Sequence, residues 1–99
     1  MKQILENLNK TFESRVRIGI MSVLLVNEEA DFNELKNTLN VTDGNLASHA
    51  SALEEEGYIS SKRKLLGNKT KKTFCASPKG IKAFSEHLDA LDKIIKGIK

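Results

Sequence analysis

A chain of 99 residues with 39% apolar and 29% charged side chains has the balance of a single soluble domain, burying about 65% of the surface its unfolded form exposes. With no tryptophan, one tyrosine and one cysteine, it has no aromatic platform for single strands, no disulfide framework and no zinc cluster. The formal net charge is only +3, so what matters is where the charge sits.

Ile4, Leu5, Leu8 and Phe12 recur at helical spacing and predict a short amphipathic helix over residues 1–12, or the lead-in to a longer one. From Glu13 to Val26 the apolar positions Val16, Ile18, Ile20, Met21, Val23, Leu24, Leu25 and Val26 predict a central helix buried over most of its circumference. Its apolar run is broken by Gly19 and Ser22 and is too short to cross a bilayer. The N-terminus interleaves polar and apolar residues and lacks a secretory leader, so a cytoplasmic protein is expected. Ala30-Asp31-Phe32 is a brief extended stretch, and Asp31 stands three residues before Glu34 at capping-box spacing. A short helix follows, from Asn33 to Leu39, and Asn40-Val41 is a tight turn.

Thr42 is a good N-cap for the next helix, 43–56, with Asp43 favoured by the helix dipole and Gly57 as its terminator. Leu46, Ala50 and Leu53 form its inward stripe, and Asn45, Ser48, His49 and Ala52 its outward face. Tyr58 to Leu66 and Thr70 to Ala76 are strands joined at the turn signal Gly67-Asn68. Ser77-Pro78 opens the last helix with proline at its first position. In that helix Ile81, Phe84, Leu88, Leu91, Ile95 and Ile98 fall at alternating steps of three and four, a coiled-coil seam that packs either on its own domain or, the favoured reading, on a second subunit.

The hairpin concentrates the charge. Residues 62–72 hold Lys62, Arg63, Lys64, Lys69, Lys71 and Lys72, six of the sixteen basic residues, and no acid, so the rest of the chain sums to −3. A protruding cationic tip suits a polyanion, foremost nucleic acid.

The order of helix, short strand, helix, turn, helix, hairpin and helix is that of a winged helix-turn-helix: mainly α, with a three-helix core, a two-stranded wing and an extra terminal helix. Leu39-Asn40-Val41-Thr42-Asp43-Gly44-Asn45-Leu46-Ala47-Ser48-His49 resembles the turn and recognition helix of MarR- and ArsR-like regulators. It is especially similar to a small stand-alone winged-helix group with a Thr-Asp-Gly-Asn-Leu-x-x-His signature. Leu53-Glu54-Glu55-Glu56-Gly57-Tyr58-Ile59 and Ser77-Pro78-Lys79-Gly80 resemble that group's helix end and last-helix opening, so the likeness spans residues 15–90.

The resemblance implies a homodimeric regulator of transcription, by default a repressor, that binds double-stranded DNA. Helix 43–56 would enter the major groove with Thr42, Asp43, Asn45, Ser48 and His49 toward the bases. The wing would meet the backbone or adjacent minor groove through Lys62, Arg63, Lys64, Asn68, Lys69, Lys71 and Lys72, about half of them on the DNA side. Three phosphates per subunit give a dimer a log–log salt slope of roughly −5. Residues 1–12 and 79–99 would join the subunits, with Ile81, Phe84, Leu88, Leu91, Ile95 and Ile98 at the interface.

Other readings are weaker. Eight acids against the single Lys36 between Glu28 and Glu56 favour a protein-interaction module as the alternative, and structured RNA is a third. Two distant histidines and one cysteine make no metal ligand set, and no cofactor motif or nucleophile-and-base pair marks an enzyme. Cys75 is expected to be a small packing residue, and His87, beside Glu86, to be exposed.

Overall fold

A computed structural model describes residues 5–97. A 3-10 turn, Lys10–Phe12, leads into α1 (Arg15–Val26), β1 (Ala30–Asp31), α2 (Phe32–Leu39), α3 (Asp43–Glu55), β2 (Ile59–Leu66), β3 (Lys69–Ala76) and α4 (Pro78–Gly97). The strands form an antiparallel sheet in the order β1-β3-β2. The brief extended stretch thus pairs with the return strand, Ala30 against Phe74 and Asp31 against Thr73, and adds a third strand to the expected hairpin.

Local signals set the boundaries. Ser14 caps α1 by accepting from the Arg17 N–H, and Asp31 caps α2 by accepting from the Glu34 N–H at 2.8 Å. That backbone bond is the main reason the Asp31 carboxyl titrates below its ordinary range. Asn40 closes α2 in the left-handed region, φ 54°. Thr42 caps α3 by accepting from the Asn45 N–H at 3.1 Å. At the far end the Gly57 N–H bonds the Glu54 carbonyl and the Tyr58 N–H the Leu53 carbonyl, a Schellman closure with Gly57 at φ 76°.

That closure is also where α4 docks. Ser77 donates its N–H to the Tyr58 carbonyl and its hydroxyl to the Gly57 carbonyl, and its Oγ accepts from the Gly80 N–H. A Cβ on Gly80 would collide with the Tyr58 carbonyl, so the Ser-Pro-x-Gly opening lets the helix approach the backbone of the turn.

The core joins Ile20, Met21 and Leu24 of α1 with Leu35, Leu46, Leu53, Phe74 and Phe84. Phe12 is fully buried, stacked on Tyr58 at 5.2 Å and edge-on to Phe84 at 5.1 Å. Such aromatic pairs add about 0.5–1.5 kcal/mol each beyond area burial.

Several expectations change. The helix expected over 1–12 does not run through: among the described residues a helical turn at Leu5 and Glu6 gives way before Asn9, which is extended. Asn9 accepts from the Thr11 N–H, donates its own N–H to His87 Nδ1 at 3.0 Å and bonds Tyr58 Oη through Nδ2. These bonds draw Phe12 inward, while Leu5 stays exposed and Ile4 lies outside the described residues. His87 is therefore buried, 4% exposed, not on the surface. Helix α1 buries one face, and Leu25 and Val26 open to solvent at its end.

The seam on α4 also divides. Phe84 is 2% exposed and belongs to the chain's own core, because Phe12 fills the space above it. Ile81, Leu88, Leu91 and Ile95 remain exposed along the helix, and Ile98 lies outside the described residues.

Candidate nucleic-acid interface

Helix α3 turns Leu46, Ala50 and Leu53 into the core. Its opposite side exposes Gly44, Asn45, Ser48, Ser51 and Glu55. Asn45 and Ser48 are thus presented as expected. Ser51, three residues after Ser48, shares that side and was not anticipated, although it sits opposite the Leu46-Ala50-Leu53 stripe at helical spacing. Gly44 has open space where a Cβ would stand, so no packing within the chain requires glycine there.

Asp43, His49 and Glu54 of α3 are engaged inside the molecule, whereas Glu55 is exposed. Asp43 is exposed yet ion-paired with Lys36 of α2 at 2.8 Å, which offsets a negative charge at the helix start. Thr42 Oγ1 is occupied as a cap acceptor and keeps only its hydroxyl proton for a ligand. His49 is half-buried, and its Nδ1 accepts from Arg17 Nε at 3.0 Å. Arg17 is further held by the Thr11 carbonyl. Burial first, then the neighbouring Arg17, hold the His49 pKa below its usual value, so the ring is neutral at pH 7. Its proton then sits on Nε2, the edge left for an acceptor.

The wing register pairs Arg63 with Lys72, Lys64 with Lys71 and Leu66 with Lys69. Directly paired residues share a face. Arg63 and Lys72 therefore share one face with Leu65 and Thr70, while Lys62, Lys64, Lys69 and Lys71 share the other. The six cations split two and four, not evenly.

Most of them have internal partners. Glu29, just before β1, pairs with Lys64 and, at 3.8 Å, with Lys62. The Lys64 hydrogen bond pulls the Glu29 carboxyl below its ordinary range. Lys71 lies 3.6 Å from Asp31, and Lys72 lies 4.0 Å from Glu54 and over the Phe74 ring. Among the described residues, Arg63 and Lys69 alone of the six pair with no carboxylate. Glu54 also accepts from Ser61 Oγ, tying the end of α3 to the base of the wing. Sequence reasoning missed these ion pairs, since their partners are distant in the chain, Lys64 and Glu29 by 35 residues and Lys71 and Asp31 by more.

At the apex, Gly67 takes φ 63° and Asn68 does not have positive φ, the pattern of a type II′ turn. Cys75 is half-exposed, its Sγ 3.2 Å from Ser60 Oγ. Among the described residues no three metal-ligating side chains cluster, and no helix is long and apolar enough to cross a membrane.

Known proteins resemble this chain in sequence and in fold. An uncharacterized protein of Methanocaldococcus jannaschii is 36% identical over 90 residues, covering 91% of this chain and 98% of its own. A transcriptional regulator homologue from Pyrococcus horikoshii OT3 superposes with a TM-score of 0.89 at 26% identity, over 100% of this chain and 99% of that one. An ArsR family transcriptional regulator shares the fold at a TM-score of 0.60 and 16% identity, over 97% of this chain and 94% of its own. The family described as winged helix DNA-binding domain matches residues 16–95. With that match over most of its length, the chain belongs to the winged helix DNA-binding domain family.

Proposed function

We propose that this protein is a sequence-specific, double-stranded-DNA-binding regulator of transcription that acts in the cytoplasm as a homodimer, by default as a repressor. The observation that carries the reading is an exposed polar side of α3 (Asn45, Ser48, Ser51) whose side chains bond no other group among the described residues, beside a wing that keeps Arg63 and Lys69 free of carboxylates there. Asn45 offers the bidentate pattern that suits adenine, and Ser48 and Ser51 can each donate or accept at base edges. Gly44 leaves the first turn of α3 open to close approach by a phosphate, toward which the free N–H groups of that turn point.

Each subunit sets α3, 43–55, in a major groove and the wing on the flanking DNA. Ile81, Leu88, Leu91 and Ile95 pack against the same residues of a second copy, and the N-terminal segment lies beside them. Two-fold symmetry then calls for a roughly palindromic operator with half-sites about one helical turn, ~34 Å, apart.

The protein-interaction alternative is weakened. Glu29, Asp31, Glu54 and Asp43, four of the eight acids between Glu28 and Glu56, are paired with lysines of the same chain. They leave less of an acidic patch for a partner.

Selection of bound sequences from random duplex, followed by anisotropy titration over a salt series, tests the reading. With two unpaired cations per subunit, the dimer's log–log slope is about −4, shallower than the −5 expected from three. Competition by duplex RNA separates the two polyanions. A folded sample that retains no duplex at low salt would rule the function out.

A further inference from the structure

The apex of the wing carries two leucines that the fold does not use. Leu65 and Leu66, the last residues of β2, are 75% and 55% exposed. Leu65 pairs with Thr70 and Leu66 with Lys69, so the leucines project from opposite faces of the ribbon. Each shares its face with one of the two cations that have no carboxylate partner. Leu65 follows Arg63 by two residues, and Leu66 stands directly across from Lys69. Beyond them the turn is slender, because Gly67 has open space where a side chain would be, and Asn68 is its one polar side chain. A polar point is thus flanked on each side by one leucine backed by one cation.

Unpaired apolar side chains next to unpaired cations at a hairpin tip suit a surface with two walls of negative charge around an apolar interior. The minor groove of duplex DNA has that form. Phosphates line its rims, base-edge acceptors its floor, and apolar side chains can press between its base steps. We propose that the wing apex is a minor-groove wedge. Asn68 meets base edges on the floor, Leu65 and Leu66 press from the two faces of the ribbon at the base steps on either side of it, and Arg63 and Lys69 hold phosphates of the two strands. This rests on the DNA-binding reading above and adds that the wing reads deformability. The flank it prefers contains a flexible pyrimidine–purine step such as TA, which unstacks most readily. An anionic bilayer also attracts cations and leucines. It would, however, bury Asn68 and the turn's backbone groups without hydrogen-bond partners, a cost the groove floor does not impose.

The test uses the full chain and a duplex recovered by selection, with 2-aminopurine placed at a TA step in each flank and dyes at both ends. Anisotropy reads binding, 2-aminopurine fluorescence reads unstacking, and energy transfer between the dyes reads bending. The wild-type protein brightens 2-aminopurine and bends the duplex by roughly 20–90°. The variant L65S with L66S keeps the wild-type circular dichroism melt, binds about 10-fold more weakly, and leaves the duplex straight and stacked. Arg63→Gln with Lys69→Gln lowers the salt slope. Wild-type binding to a straight, stacked duplex overturns the wedge while leaving the DNA-binding reading intact. So does equal bending by the leucine variant, or leucine-dependent capture on vesicles rich in anionic lipid with no leucine effect on DNA. Recovery of no duplex at all overturns both, and the anisotropy arm shows which reading failed.

Discussion

Glu29 is bonded to Lys64 across 35 residues of sequence and also reaches Lys62 at 3.8 Å. One carboxylate just before the first strand thus occupies two cations of the wing. The carboxylate competes with any phosphate for the same ammonium groups.

Replacing Glu29 by glutamine should therefore tighten duplex binding. Both lysines become available, and every phosphate they neutralise steepens the salt dependence by about one unit per contact. Affinity at low salt should rise several-fold, with a melting temperature indistinguishable from wild type because the pairs are exposed. Anisotropy titrations at several salt concentrations check this. An unchanged slope would mean that these lysines point away from DNA.

Gly80 and Gly44 should respond to alanine in opposite ways. At Gly80 the new methyl meets the backbone of Tyr58, which cannot yield like a flexible side chain, so unfolding free energy should fall by about 2 kcal/mol or more. At Gly44 nothing lies within 4 Å, and alanine should stabilise α3 by up to about 1 kcal/mol. The same methyl projects from the face proposed to meet DNA, so duplex affinity should drop while stability rises. Urea titrations and anisotropy on both variants separate the two effects.

Phe84 and Leu88, one turn apart, should separate folding from assembly. Phe84 is buried against Phe12, and Phe84→Ala should cost about 3–5 kcal/mol of stability. Leu88 is exposed at 43%, and Leu88→Glu should leave the subunit folded but drive it to monomer. Sedimentation velocity and thermal melts should move independently in the two variants. A wild-type protein that is already monomeric would remove the proposed α4 interface.

Acid should loosen the N-terminal segment. His87 accepts the Asn9 N–H through Nδ1, so its neutral form is the one that fits. Burial depresses its pKa, against a smaller opposite pull from Glu13. The unfolded chain then takes up a proton near pH 6.5 before the folded chain does. Stability is full above that value and declines as pH falls from about 6.5 toward the lower folded pKa. His49, also depressed, contributes in the same direction. Melts between pH 8 and 5 should show the decline, and His87→Gln should remove part of it. A flat profile would mean that neither ring changes affinity for protons on folding.

What could be read without coordinates was whatever depends on near neighbours in the chain. The Asp31 and Thr42 caps, the Gly57 terminator, the Gly67-Asn68 turn and the proline opening of α4 each involve groups within a few residues of one another. The same holds for the Leu46-Ala50-Leu53 stripe, and hence for the exposed positions of Asn45 and Ser48. Sequence order and these local marks were enough for the winged helix.

Partners distant in sequence were decided only in three dimensions. Periodicity placed Phe84 on an apolar stripe but could not tell a stripe covered by Phe12 from one left open, because helical spacing carries no information about what lies opposite. His87 was drawn inward by Asn9, 78 residues away. The wing's charge was visible as six cations, yet its free charge depends on which acids the fold carries within ion-pairing distance. Composition sets how much charge a chain has, and tertiary packing sets how much of it is left for another molecule.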